Sequence, residues 1–146
     1  MIREAWKVTS SLVGANRQED IAVFHRLEAI LDEPRLEHIL NYSLFTETLR
    51  SEERELLHTF TAALRENRYI HPVIARRARQ LTSELSQLLA TVDATFLLDG
   101  GDFHFRRDPN DLIAYDRGLD DLAKGIEKTW KACKIYRQVV KDRLHL

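Results

Sequence analysis

A chain of 146 residues has the size of one ordinary domain and can bury about two thirds of its unfolded surface without disulfides or metal. Its 22 Lys and Arg against 23 Asp and Glu give a formal net charge of −1, which excludes a global field that would recruit nucleic acid or anionic membrane. Cys133 stands alone, so no intrachain disulfide forms. The opening MIREAWKVTSS carries Arg3, Glu4 and Lys7 where a signal peptide needs an apolar run, and no later stretch approaches the roughly 20 apolar residues of a membrane span. A soluble cytoplasmic protein with no membrane contact is the expectation.

In chain order, residues 2–13 predict a short helix stopped by Gly14. Asn16 then serves as N-cap with Glu19 three residues on, as in a capping box, and Ile21, Phe24, Leu27, Ile30 and Leu31 follow at helical spacing to about Glu33. Pro34 suits the first turn of a third helix, with Leu36, Ile39, Leu40, Leu44 and finally Leu49 as its apolar positions to about Arg50. Ser51 as cap with Glu52 and Glu53 in the first turn starts the next, whose stripe is Leu57, Phe60 and Leu64. Pro72 has no amide proton and disfavours helical geometry at His71, so a new helix starts there. Its stripe Ile74, Ala78, Leu81, Leu85, Leu88 and Val92 is the most regular so far.

Between residues 95 and 106 the period changes from helical to two. If Gly100 and Gly101 form a tight turn, Phe96 pairs opposite Phe105 and Leu98 opposite Phe103, all four on one face of a β-hairpin. Asp108 as cap and Pro109 in the first turn then begin a long final helix. Leu112, Tyr115, Leu119, Leu122, Ile126, Thr129 or Trp130, Cys133, Tyr136, Val140 and Leu144 form its seam. At 1.5 Å per residue it runs roughly 50 Å, beyond the preceding helix. Either the N-terminal helices or a second copy of the chain must cover its far end. Gly118 and Gly125, with Ala132, lie beside the seam and either admit a neighbouring backbone or tolerate a bend. The fold class is therefore mainly α, a single-domain bundle of five or six helices with a small hairpin before the last.

The most basic window is Arg65 to Arg79, with Arg65, Arg68, Arg76, Arg77 and Arg79 against Glu66 alone. Arg76, Arg79 and Ser83 face away from the apolar stripe and are available to phosphates, although a solvated outer face has the same pattern. Within it, Arg65-Glu66-Asn67-Arg68-Tyr69-Ile70-His71 resembles the short arginine-to-histidine motif of HEPN-type helical domains. Many of those are metal-independent ribonucleases or nucleotide-binding partners of toxin systems, and dimerisation brings two motifs into one site. The resemblance implies that Arg65 or Arg68 stabilises a phosphate and His71 moves protons at the 2′-hydroxyl of RNA. His71 also continues the apolar face after Pro72 and reads as a packed or capping residue.

Asp99, Asp102, His104, Asp108 and Asp111 cluster within the hairpin region, but their spacing fits neither a calcium loop nor a zinc pattern, and turn and cap roles account for the aspartates. No metal or cofactor is expected. His25, His38, His58 and His145 show no ligand pairing, and Cys133 sits mid-seam like a small core residue. Lys124, Lys128 and Lys131 lie opposite the last seam, with Lys134, Arg137 and Lys141 extending the charge. Residues 93–121 are acidic by contrast, with eight Asp against three Arg, an asymmetry suited to head-to-tail or partner association. The leading expectation is a non-enzymatic, homodimeric interaction module. The alternative is a HEPN-like ribonuclease or nucleic-acid-binding component of a toxin–antitoxin or defence system.

Overall fold

The stripe that begins at Ile74 is the spine of the molecule. Ile74, Ala78, Leu81, Leu85, Leu88 and Val92 are all buried on helix α4 (Pro72–Thr95), and they pack along helix α5 (Leu112–Leu144). The computed structural model describes the backbone of residues 2–107 and 109–146 and the side chains of 14–107 and 109–146. Over that range the chain is mainly α, and no helix is long and apolar enough to cross a membrane. The buried residues of α5 are Leu122, Ile126, Thr129, Ala132, Cys133, Tyr136, Val140 and Leu144, so Thr129 rather than Trp130 occupies the inner position.

Several predicted boundaries are corrected. Gly14 does not stop a helix and Asn16 does not cap one, because α1 runs without a break from Ile2 to Ile30. A glycine inside a helix costs only about 1 kcal/mol against alanine. Asp32 ends the connection that follows, its carboxylate accepting the Arg35 N–H at 3.0 Å to cap α2 (Glu33–His38). The predicted helix from Pro34 to Arg50 widens after α2 into a π-helical segment, Ile39–Leu44. It is then broken by Glu47, whose φ of 63° turns the chain. Thr48–Arg50 form a strand, β1. Helix α3 (Ser51–Glu66) is capped one position earlier than expected, at Arg50, whose N–H donates to the Glu53 carboxylate at 3.1 Å. The second Glu53 oxygen accepts the Ser43 hydroxyl at 2.8 Å, which ties the π-helical segment to α3.

The hairpin has the register expected from its glycines. Strands β2 (Phe96–Asp99) and β3 (Asp102–Phe105) pair Phe96 with Phe105 and Leu98 with Phe103, and Gly100 and Gly101 both adopt positive φ. The expected apolar face is only half buried, since Leu98 is 62% exposed. The hairpin is also part of a larger sheet. β1 pairs antiparallel with β3, Leu49 opposite Phe103, in the order β1-β3-β2. The Ser51 hydroxyl donates to the Gly101 carbonyl and fixes the turn against the start of α3. α5 starts later than predicted, capped by Asp111, which accepts the Ala114 N–H at 3.0 Å. The cap assigned to Asp108 lies outside the described residues.

The far end of α5 is covered from within the chain. Val140 and Leu144 are buried, and Arg17 on α1 donates to the Leu144 carbonyl at 3.0 and 3.2 Å. The glycines beside the seam face side chains rather than a neighbouring backbone. A Cβ at Gly118 would stand 2.9 Å from Phe105 Cζ, and one at Gly125 would stand 3.2 Å from Leu88 Cδ1. Phe105 cannot retreat easily, since its ring meets Phe96 and Tyr115 edge-on at 5.5 and 5.6 Å. Alanine in a helix gains about 1 kcal/mol over glycine, whereas overpacking costs about 1–3 kcal/mol. Gly118→Ala is therefore expected to lower the melting temperature and Gly125→Ala to leave it unchanged or raise it. Thermal unfolding of the two variants side by side checks this, and equal shifts would contradict it.

Candidate functional site

The turn between α3 and α4 is held by a buried acid. Asp20 on α1 is 1% exposed, and its two carboxylate oxygens accept the N–H groups of Ile70 and His71 at 2.7 and 3.0 Å. Tyr69 is buried beside it and shares a hydrogen bond with the Tyr136 hydroxyl. His71 closes the turn as N-cap of α4, its Nδ1 accepting the Val73 N–H at 3.2 Å. Asn67 satisfies the end of α3, its backbone and side-chain nitrogens both donating to the Ala63 carbonyl.

This anchored turn forms one end of a groove of about 830 Å³ between α3 and α4. Because α4 turns its apolar stripe toward α5, the flank carrying Ala75, Arg79, Ser83 and Ser86 is left beside α3. Leu64, Ala75 and Ala78 line the groove, and Arg65, Arg68 and Arg79 bring it positive charge. Arg65 Nη2 donates to the Ser86 hydroxyl at 2.5 Å, while Ser86 donates in turn to the Thr82 carbonyl at 2.8 Å. All three arginines are exposed, and none has a carboxylate within ion-pair distance among the described residues. Arg65 and Ser86 also border a second recess of about 270 Å³, which His58 and Asp93 line as well. Asp93 is gripped there by Arg54 at 2.9 and 3.0 Å, with His58 Nε2 3.7 Å from its other oxygen.

The structure therefore brings Arg65, Arg68 and Arg79 to one groove. Arg76 is exposed one turn before Arg79 but does not line it, and His71 does not line it either. Lys124, Lys128 and Lys131 are exposed on α5, Lys124 pairing with Asp120 at 2.8 Å. Arg137, expected to extend that charge, turns inward instead. It is 12% exposed, ion-paired to Glu28 and Glu33, and stacked 5.4 Å from the Phe24 ring centroid. No group of three potential metal ligands converges among the described residues. No protein-family model, curated protein or solved structure matches the chain.

Asp20 was missed by the motif reading because its partners lie 50 positions away. The available signal was an acid set on the stripe Asp20, Val23, Phe24, Leu27, all buried. A hydrogen bond to a charged group contributes about 1.5–3 kcal/mol, so Asp20→Ala is expected to destabilise by about 3 kcal/mol or more. The loss should be uneven. Hydrogen exchange at the Ile70 and His71 amides should quicken more than exchange in the middle of α4, and uniform acceleration would contradict the anchoring role.

The interior beside this anchor also resists ionisation. Burial pushes the Cys133 thiol up to about 12 and raises both Tyr69 and Tyr136 above the ordinary phenol range. Each group keeps its proton longer in the native state, so the associated stability is full below the unfolded values, about 8.5 for a thiol and 10 for a phenol, and is lost as pH rises from there. At about pH 8.5 native Cys133 should resist iodoacetamide and react only through opening of the core. Mass spectrometry across a denaturant series checks this, and rapid labelling without denaturant would overturn it.

Proposed function

We propose that this protein is a non-enzymatic interaction module whose α3–α4 groove docks an acidic, partly apolar segment of a protein partner. The observation that carries the reading is the set of three guanidiniums with no carboxylate partner among the described residues, Arg65, Arg68 and Arg79, beside an apolar lining of Leu64, Ala75 and Ala78. Arginine forks match carboxylates in bidentate geometry, and a groove between two helices accepts an amphipathic third. A single strand of nucleic acid asks for exposed aromatic rings on which to stack bases. Tyr69, the aromatic residue of this groove, is buried. The net charge of −1 likewise supplies no long-range attraction for a polyanion.

The ribonuclease reading finds less support. It asks His71 to move a proton beside a phosphate held by Arg65 or Arg68, whereas His71 Nδ1 holds the Val73 N–H and the residue lies outside the groove lining. Binding without cleavage fits better. Calorimetric titration with a short helical peptide carrying Leu on one face and Glu beside it tests the proposal. Arg68→Ala with Arg79→Ala should weaken binding at least roughly tenfold, since charge-assisted pairs are the strong ones, and rising salt should weaken it further. A single-stranded RNA oligonucleotide should bind poorly to the intact chain. Tighter binding of the RNA than of the peptide would overturn the proposal.

A further inference from the structure

The first three turns of α5 are the chemical inverse of the groove. Leu112 and Ile113 are 67% and 70% exposed, large aliphatic side chains left in water where burial would be favourable. Asp116, Asp120 and Asp121 follow, all exposed, with Arg117 as the one basic residue of residues 111–121. Ile113, Asp116 and Asp120 stand at i, i+3 and i+7, so an apolar anchor and two carboxylates share one helix face. An acidic amphipathic helix with its apolar residues uncovered is the occupant that the arginine-flanked groove fits.

The chain's own groove is out of reach. The start of α5 sits beside the end of α4, where Tyr115 and Gly118 line a recess with Ala94 and Thr95. It is fixed there by the Tyr115 hydroxyl donating to Glu47 at 2.8 Å and by Phe105 against Gly118. The groove arginine Arg79 lies near the opposite end of α4. From Arg79 to Ala94 the rise along the helix is about 22 Å, and because α5 is one continuous helix lying antiparallel to α4, its first turns are held at the end of α4 away from Arg79.

We infer that the occupant is a second copy of this chain, the Leu112–Asp121 face of one molecule docking in the α3–α4 groove of another. The inference rests on the groove reading above and adds the identity of the partner. Two molecules that exchange these helices reciprocally close a two-fold dimer, and a one-sided exchange propagates into larger species. In both arrangements the groove arginines meet the carboxylates of Asp116 and Asp120, the latter exchanging its intrahelical pair with Lys124, and this pairing sets register and orientation.

The test uses charge reversal in the full chain. A groove variant, Arg68→Glu with Arg79→Glu, and a helix variant, Asp116→Lys with Asp120→Lys, change exposed side chains only, and circular dichroism confirms that each remains folded. In sedimentation velocity over a concentration series, the unaltered chain should self-associate and each variant alone should be monomeric. An equimolar mixture should associate again, because lysine then meets glutamate and aspartate meets arginine. A rise in dissociation constant of at least tenfold for each variant, recovered on mixing, is the result expected. A strict monomer at every concentration, or association unchanged by both variants, overturns the inference. The two readings separate cleanly: if the acidic peptide binds the groove while the chain stays monomeric, the groove stands and the partner is another protein. If the chain associates but neither variant nor peptide affects it, the groove itself is wrong.

Discussion

A carboxylate taken fully out of water needs compensation, and Asp20 finds it in two backbone amides of the α3–α4 turn. Desolvating a charge costs several kcal/mol even after relaxation, so such a group specifies structure more than it adds stability. The specification here is positional. With Ile70 and His71 fixed, Pro72 starts α4 at a defined place, and the stripe from Ile74 onward meets α5 in register. Tyr69, pinned in the same turn, reaches the Tyr136 hydroxyl on α5. At the next residue of α5, Arg137 returns to Glu28 and Glu33. The polar contacts thus close a circuit from α1 through the turn to α5 and back, around Phe24 and Leu27. The groove inherits its shape from that circuit, because Arg65 and Arg68 leave the chain just before the anchored turn and Arg79 just after it.

The parts of the fold legible in the sequence are those whose cause is local. Six apolar residues at alternating steps of four and three on α4 can satisfy only one helical face, and two adjacent glycines with period-two flanks leave a single hairpin register. What could not be read has nonlocal causes. β1 is three residues long, too short to show a period, and it exists because Leu49 lies opposite Phe103, over 50 positions later. Glu47 enables it with a left-handed backbone that a non-glycine residue adopts at a cost of about 1 kcal/mol or more. Its carbonyl accepts the Phe105 N–H at 3.0 Å and its carboxylate accepts the Tyr115 hydroxyl at 2.8 Å, contacts that offset the strain. None of this is written in the residues around Glu47. The break expected at Gly14 failed for the opposite reason: a local signal worth about 1 kcal/mol is too weak to end a helix by itself.

The candidate site divides along the same line. That Arg65, Arg68 and Arg79 form a basic cluster is visible in the window itself, and the periodicity of α4 places Arg79 off the apolar stripe. That Arg76 misses the groove, and that Arg137 turns into the protein, depends on which flank faces α3 and on where Glu28 and Glu33 stand. An arginine near the end of a long amphipathic helix reads as solvated until a partner carboxylate arrives from another element. His71 illustrates the competition directly. One imidazole nitrogen given to the Val73 N–H is no longer the free lone pair that proton transfer from a substrate would use.

The length of α5 carries the last step. At 33 residues against 24 for α4, it exceeds its main partner by about 14 Å, so one end had to find cover elsewhere. Arg17 and Glu28 of α1 supply it at the C-terminal end, where Leu144 is buried. The unburied remainder is therefore displaced to the N-terminal end, where Leu112 opens the helix in water although it stands in the same repeating seam as Leu122 and Ile126. Because α4 and α5 are antiparallel neighbours, that acidic, apolar end and the arginine groove are held at opposite ends of one rigid pair. Complementary surfaces that a fold keeps apart within one molecule are free to meet between two, and it is this separation, more than the charge count, that turns the asymmetry of the sequence into an argument for self-association.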